Sequence, residues 1–499
     1  MSDPIKNTVK MAPMAGATGY GGGVMSFSYS KFGGPTENWI TITANDTYGL
    51  GPGQIGVSSE SDPSTGQIWQ RSQFTRTVVT TQVRAYTGMG TYIGGSEIYN
   101  AQGTSASSLY QRKCNWIQAT DGDGMDNEVF GSGSYDNGQW GLYRWTNSGS
   151  GSCKKMTSGQ PSGGVNGQTC STSPNGETSA VGYNANLASF AEDFSFNWNT
   201  KFSVNGYTHA WGVVHNGAPS GSQSCVMLAY SSYQGKTWPM IIGYVGNGTY
   251  QFAKYWNGYS GQAHLNRASY AGSRTGAISV TGNSPDTSPT GCWVMKITGT
   301  ASGSPSVSWS KNIRMNTGDG KSTSNKNSDW GNRDTDAPDL YVLTSTQTAD
   351  ASDYYLGIHK FNYSGTHQWT NKLQGGGDGW QLSAQNLQVN GATNEIIVGG
   401  QYYKSGELAK NFIVRLSSDG EGTGTCPTTG FTYSNADSEV SISNATSSMT
   451  STSGNASGQG SWQNGSTNVR SPAGTFTHTQ DFINEWFGWH FVIIDLFCN

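Results

Sequence analysis

The carboxylates of Asp121-Gly-Asp123-Gly-Met-Asp126-Asn-Glu128 are the residues whose type and spacing could most directly do chemistry. A hard cation wants several oxygens from one short flexible segment, so Asp121, Asp123, Asp126 and Glu128 form a candidate calcium loop. The segment lacks the twelve-residue EF-hand spacing, and a solvated acidic turn between two structural units is the plainer reading. Asp334, Asp336 and Asp339 make a second, sparser acidic loop. Neither loop supplies the acid and nucleophile pair of glycoside hydrolysis, although carboxylates distant in sequence could still converge. The seven His are dispersed, and no nucleophile elbow, His-Glu-x-x-His helix or phosphate loop occurs. His359 and His367 flank an expected β-turn and read as surface or hydrogen-bonded residues. Seven cysteines, an odd count with no Cys-x-x-Cys, point to buried reduced thiols, with Cys153 and Cys170 the one pair close enough to suggest a local disulfide. No catalytic residue and no cofactor follow, calcium being the one ion left open.

The elements that would position these residues repeat along the chain. Ile278-Ser-Val280-Thr-Gly282 is followed by Trp293-Val-Met295-Lys296-Ile297 and then Trp309. The unit returns as Leu340-Tyr-Val342 with Leu356-Gly-Ile358-His359-Lys360-Phe361, then Gly365 and Trp369, and as Glu395-Ile-Ile397-Val-Gly399 with Phe412-Ile-Val414-Arg415-Leu416, then Gly420. Alternating apolar residues mark half-buried strands, and a period of roughly 55–65 residues lies at or just above one propeller blade. Weaker copies begin near Thr91, Val129, Trp211 and Ile241. The expectation is an all-β chain, a six- or seven-bladed β-propeller with an extended N-terminal arm and a polar C-terminal tail. Trp293, Met295, Ile297, Ile358, Phe361, Val414 and Leu416 should face blade interiors, with Lys296, His359 or Lys360, and Arg415 toward solvent or a neighbour. On that sidedness Val414→Asp is severe and Arg415→Ser mild. The row Trp293, Trp309, Trp369 and Trp380 could stack sugars, but its recurrence favours packing between blades.

Composition agrees. Charged residues are 12%, where a soluble domain has roughly a quarter, and 70 Gly supply turns. A net charge of -4 offers no basic stripe for phosphates, which excludes nucleic acid as the main partner.

Three regions follow: a Gly-rich extended arm at 1–65, the propeller at 66–425, and a Ser/Thr-rich tail at 426–499 ending in an apolar strand. The amino terminus shows no apolar signal region. The run from Phe482 to Cys498 carries Glu485, His490 and Asp495 and is short for a span, so membrane insertion is not expected. Alone, the polar tract 427–479 has too little apolar surface to order itself. Trp486, Phe487, Trp489, Phe491, Ile493 and Phe497 would form an exposed patch, for which a subunit interface is the simplest use and docking on the propeller the alternative.

The unit Trp293-Val-Met-Lys-Ile297 with Val307-Ser-Trp309, and its copies at 356–369 and 412–420, resembles bacterial β-propeller repeats in which a strand ending Lys-Leu-Asp leads into Gly-Asn and an aromatic. The stretch beginning Asp419-Gly-Glu-Gly-Thr-Gly is similar to the region after such repeats in virion structural proteins of marine, especially cyanobacterial, bacteriophages. The resemblance spans roughly residues 275–465 and departs from the repeat at Thr298 and Asn362, where Asp is replaced. It implies a non-enzymatic virion protein, made in the host cytoplasm and associated with the phage tail as a nozzle or host-facing, fibre-associated component. Its partners would be other virion subunits, further copies of itself and a host-surface glycan. A capsid-surface or knob protein fits nearly as well. The competing class is a carbohydrate-binding module or sialidase-like hydrolase, which fold alone does not separate.

Overall fold

The computed structural model describes residues 38–483 apart from 58–66, 76–78, 100–112, 120–127, 136–138, 147–150, 157–166, 173–177, 183–184, 192, 205–206, 217–223, 234–235, 257–263, 272–275, 285–290, 316–322, 332–334, 348–353, 378, 391–392, 446–447, 453, 459–460, 466–467 and 471–474. Among the described residues, the one helical element is the 3-10 turn Asp437–Glu439. Among the described residues the strands form seven antiparallel sheets, each built on four strands that in six of them meander outward in chain order. The innermost strands lie side by side, and Gln381–Val389 of the last blade meets Gln54–Val57 of the first, so the ring closes. The protein is a seven-bladed β-propeller. Blades 1 to 6 span residues 54–99, 113–156, 167–203, 207–256, 264–315 and 323–374, and blade 7 takes 381–416 together with Trp39–Asn45.

Period-two alternation feeds the two faces of each blade into two different cores. In blade 5, Ile278, Val280, Trp293, Met295 and Ile297 pack on Val226, Leu228, Ile241 and Trp256 of blade 4. Cys292 and Val294, one position out of phase, pack on Leu340, Val342 and Phe361 of blade 6. Trp293, Met295, Ile297, Ile358, Phe361, Val414 and Leu416 are all fully buried, as the alternation requires. The polar positions differ from one half of the expectation: Lys296, His359 and Arg415 are buried too, and the solvent alternative fails for them. Both faces of a propeller blade are covered, so their phase points at a neighbouring blade rather than at water.

That placement explains the recurring cation. Lys296 of blade 5 donates to the carbonyl of Tyr363 in blade 6 at 2.8 Å, with its ammonium 3.3 Å from the Tyr363 ring centroid. Lys360 of blade 6 donates to Ser418 O at 3.1 Å, and Arg415 of blade 7 reaches Met89 Sδ in blade 1 at 3.3 Å. Each of these three third-strand cations therefore spans a joint to the turn after the third strand of the next blade. The recurring Gly and Trp serve the same joints. Trp39, Trp198, Trp309 and Trp369, on fourth strands, lie against Gly90, Gly248, Gly365 and Gly420 of the following blade, all at φ between 80° and 83°. A Cβ at Gly365 would sit 2.7 Å from the Trp309 indole. Gly365→Val should therefore lower the unfolding midpoint sharply. It adds a clash to the ~1–2 kcal/mol of left-handed backbone strain, while Gly276→Ala, at φ 58° with open space around it, should cost the strain alone. Equal shifts for the two variants would mean that the indole does not seat on the turn.

Innermost strands are stitched by amides. Asn386 binds both Ile55 N and Ile55 O at 2.9 and 2.7 Å, and Asn327 donates to Leu387 O at 2.7 Å. Each of these Asn residues lies at a bulge against the second strand of its blade, which turns the amide toward the neighbour.

The region 427–479 is not the unstructured tract its composition suggests. It runs round the rim in reverse blade order, supplying a further strand to every blade: Thr432–Asn435 on blade 6, Val440–Asn444 on 5, Met449–Ser451 on 4, Asn455–Gly458 on 3, Trp462–Gly465 on 2, Asn468–Arg470 on 1 and Phe476–Phe482 on 7. Backbone ladders need no apolar side chain, so a Ser/Thr/Asn-rich sequence serves. Sparse pegs fix it: Tyr433 is fully buried, Trp462 meets Trp140 and Phe190 edge-on at 5.0 Å, and a Cβ on Gly454 would strike Phe202 at 2.3 Å. Lys372 pairs with Glu439 at 2.6 Å and Lys154 donates to Asn464 at 2.6 Å.

Three further expectations change. Strands Trp39–Asn45 and Gln54–Val57 belong to the propeller although they fall within the sequence-assigned arm 1–65. The copies near Trp211 and Ile241 are one blade, while blade 3, rich in Ala and Ser, carried no recognised copy. Cys153 and Cys170 are buried in different blades, with no disulfide between them.

Candidate interaction site

The acidic loop of Asp121, Asp123 and Asp126 lies outside the described residues, and Glu128 opens the strand Glu128–Tyr135. Asp334 is also outside them, Asp336 is exposed, and the Asp339 carboxylate is taken by Lys360 Nζ at 3.0 Å. Among the described residues, no group of three or more His, Cys, Asp or Glu is placed to hold a metal. The four Trp of the candidate sugar-stacking row separate: Trp309 and Trp369 seat on glycines of the next blade, Trp293 is core, and Trp380 lies between Tyr402, stacked at 4.4 Å, and the Lys410 ammonium at 4.4 Å.

Four histidines among the described residues sit in hydrogen bonds that are structural. His359 sits between Thr344 Oγ1 and Thr370 Oγ1 at 2.9 and 3.0 Å, and His367 also reaches Thr370 at 2.8 Å. His215 meets Ser179 Oγ at 2.6 Å, and His478 meets Thr43 Oγ1 at 3.0 Å while stacking on Tyr92 at 4.1 Å. Burial pushes His359 down to about 3 and His215 and His478 down to about 4, with Arg84 adding to the effect at His478. Folded imidazoles thus stay neutral while those of the unfolded chain protonate near 6.5. Their contribution to stability should be complete above about 6.5 and decline as pH falls toward 4 and 3. Unfolding midpoints that stay flat from pH 7 to pH 4 would contradict neutral burial.

The feature that gathers distant parts of the chain is the rim of blade 7. Here the first described strand, Trp39–Asn45, lies between Lys410–Leu416 and Phe476–Phe482. Asn38, which is buried, spends both amide donors and accepts one bond at the root of the belt: Nδ2 donates to Glu421 O and Gly422 O at 2.8 and 2.9 Å, and Oδ1 accepts from Ser417 N at 2.7 Å. Its carbonyl accepts from Ile483 N at 2.9 Å. Asp481, also buried, accepts from Thr428 N, Thr429 N and Thr429 Oγ1 at 2.8, 2.8 and 3.1 Å, joining the last belt strand to the loop where the belt begins. The belt is therefore a closed loop clasped at Asn38 and Asp481. Arg415 pairs with Glu395 in the same blade, and burial lowers its guanidinium to about 10.

The described chain begins and ends at one point, since Ile483 N donates to Asn38 O. The expected interface residues Trp486, Phe487, Trp489, Phe491, Ile493 and Phe497 lie outside the described residues, three to fourteen positions beyond Ile483. Phe482, at 36% exposure, is one of three large apolar side chains on the surface of the described residues, with Ile93 and Leu408. Sequence reasoning did not find Asn38 or Asp481. The alternation of Trp39-Ile-Thr-Ile42 was the available signal for the closing strand, and nothing local marks a buried clasping carboxylate.

No family model matches the chain, and no curated protein matches it. Among solved structures it is similar to the C-terminal WD40 domain of Sif2, at 8% identity and TM-score 0.32 over 75% of this chain and 98% of that one. The β-propeller domain of Vanderwaltozyma polyspora Nup133 gives 6% identity and TM-score 0.36 over 75% and 99%. The S. cerevisiae core factor gives 9% and 0.39 over 76% and 61%. The propeller assignment itself stands on the seven-sheet topology.

Proposed function

We propose that this protein is a non-enzymatic structural subunit of a bacteriophage particle, associated with the tail as a nozzle or host-facing component and used in assembly and attachment. The reading starts from the resemblance of the repeats and of the stretch after Asp419 to virion proteins. The observation that carries it is the clasped belt, which returns the chain to Asn38 and delivers both terminal segments, one of them strongly apolar, to a single place on the rim. An apolar segment mounted on a belted ring suits a subunit held in a larger assembly. A carbohydrate-binding module is supported less, because Trp309 and Trp369 already spend a ring face on Gly365 and Gly420.

The experiment is density-gradient sedimentation of lysates from infected cells, with the chain followed by antibody. It should travel with intact particles and withstand a high-salt wash. Recovery solely in the slow-sedimenting soluble fraction would overturn the proposal.

A further inference from the structure

We propose that the outer edge of strand Phe476–Phe482 receives the apolar C-terminal segment of a second copy of this chain as an added strand; this rests on the assembly reading above. Among the described residues, Phe476–Phe482 pairs on one side alone, with Trp39–Asn45. It has seven residues where the other belt strands have three to five, so it is the belt edge long enough to template a partner strand. Exposed Phe482 stands at its end.

The occupant is argued from the chain that continues past Ile483. It holds Trp486, Val492 and Ile494 at even positions and Phe487, Trp489, Phe491 and Ile493 at odd ones, so as a strand it would be apolar on both faces. An outermost strand on its own blade would lie at the rim, where the belt strands are already half-buried to exposed along most of their length, and would leave apolar surface in water. Folding back in cis would also require the chain to reverse at Asn484-Glu485. A two-residue hairpin there needs positive φ at both positions in a type I′ turn, which Glu485 disfavours, or glycine at the first position in a type II′ turn, where Asn484 stands. Two copies meeting rim to rim need no reversal and place each segment between two sheets.

The test is sedimentation velocity of the purified full chain, of Phe482→Lys, and of a chain ending at residue 483. The wild type should self-associate, and both variants should weaken association at least tenfold. Phe482→Lys should keep its unfolding midpoint, because the side chain is on the surface. A monomeric wild type, or an unweakened Phe482→Lys oligomer, would overturn the inference. Particle association is measured separately: wild-type chain that travels with particles yet never self-associates sinks this inference alone, whereas failure to travel with particles sinks the proposed function.

Discussion

Arg415→Ser should lower the unfolding midpoint about as far as Val414→Asp does, although one residue is a cation and its neighbour a core aliphatic. Val414 is fully buried, and a carboxylate there has no partner, at a cost of several kcal/mol. Arg415 is 1% exposed and ion-paired with Glu395, whose side chain is 14% exposed. Removing one member of such a pair strands the other, which typically costs ~3–5 kcal/mol, whereas a surface pair is worth ~0–1 kcal/mol. The double change Arg415→Met with Glu395→Gln should recover much of the loss, because it leaves no unpaired charge. Thermal or denaturant midpoints decide the matter: a shift for Arg415→Ser as small as for an exposed lysine would place that strand in the wrong phase.

Asp481→Ala opens the belt at its clasp. The carboxylate accepts from two backbone amides and one hydroxyl of Thr428 and Thr429, and it is 5% exposed. Its removal leaves those donors without their acceptor, an effect of ~1.5–3 kcal/mol for bonds to a charged group. Asp481→Asn should fall between the variant and the parent. Hydrogen exchange gives the sharper reading. Amides of Phe476–Phe482 and of the 426–431 loop should lose protection first, while the inner strands of blades 3 to 5 stay slow. Uniform loss across all blades, or none anywhere, would show that Asp481 does not hold the belt closed.

The blades legible in the sequence are those with strong apolar contrast. In blades 5, 6 and 7, β-branched and aromatic residues alternate with polar ones and end in a cation, and the recurring Gly and Trp mark the joints. Blade 3 builds the same four strands around Ala180, Ala188, Ser179 and Ser189, small residues that pack well but leave little periodic signal. Blade 4 reads in sequence as two copies, since its strands at 211–230 and 241–255 each look complete. Ring closure by Trp39–Asn45 is a pairing across more than 350 residues, and no local pattern encodes it. The belt escaped for a different reason: it is held mainly by backbone hydrogen bonds and a few pegs, so its composition imitates disorder. The cations were placed on the correct strands but assigned partly to solvent, because one-faced burial is the usual case for antiparallel sheets and a propeller blade is buried on both faces. At the rim of blade 7 the apolar residues beyond Phe482 were recognisable as an interface candidate, whereas Asn38 and Asp481 act through contacts made only after the chain has circled the ring.

The most direct measurement is the uptake into particles of a chain lacking residues 484–499, in competition with the full chain. The truncated protein should show the far-ultraviolet spectrum and unfolding midpoint of the parent, because the clasp at Asn38 and Asp481 is intact, and should be missing from purified particles. Particles that carry the truncated and full chains equally would contradict the assignment of the chain's end to assembly.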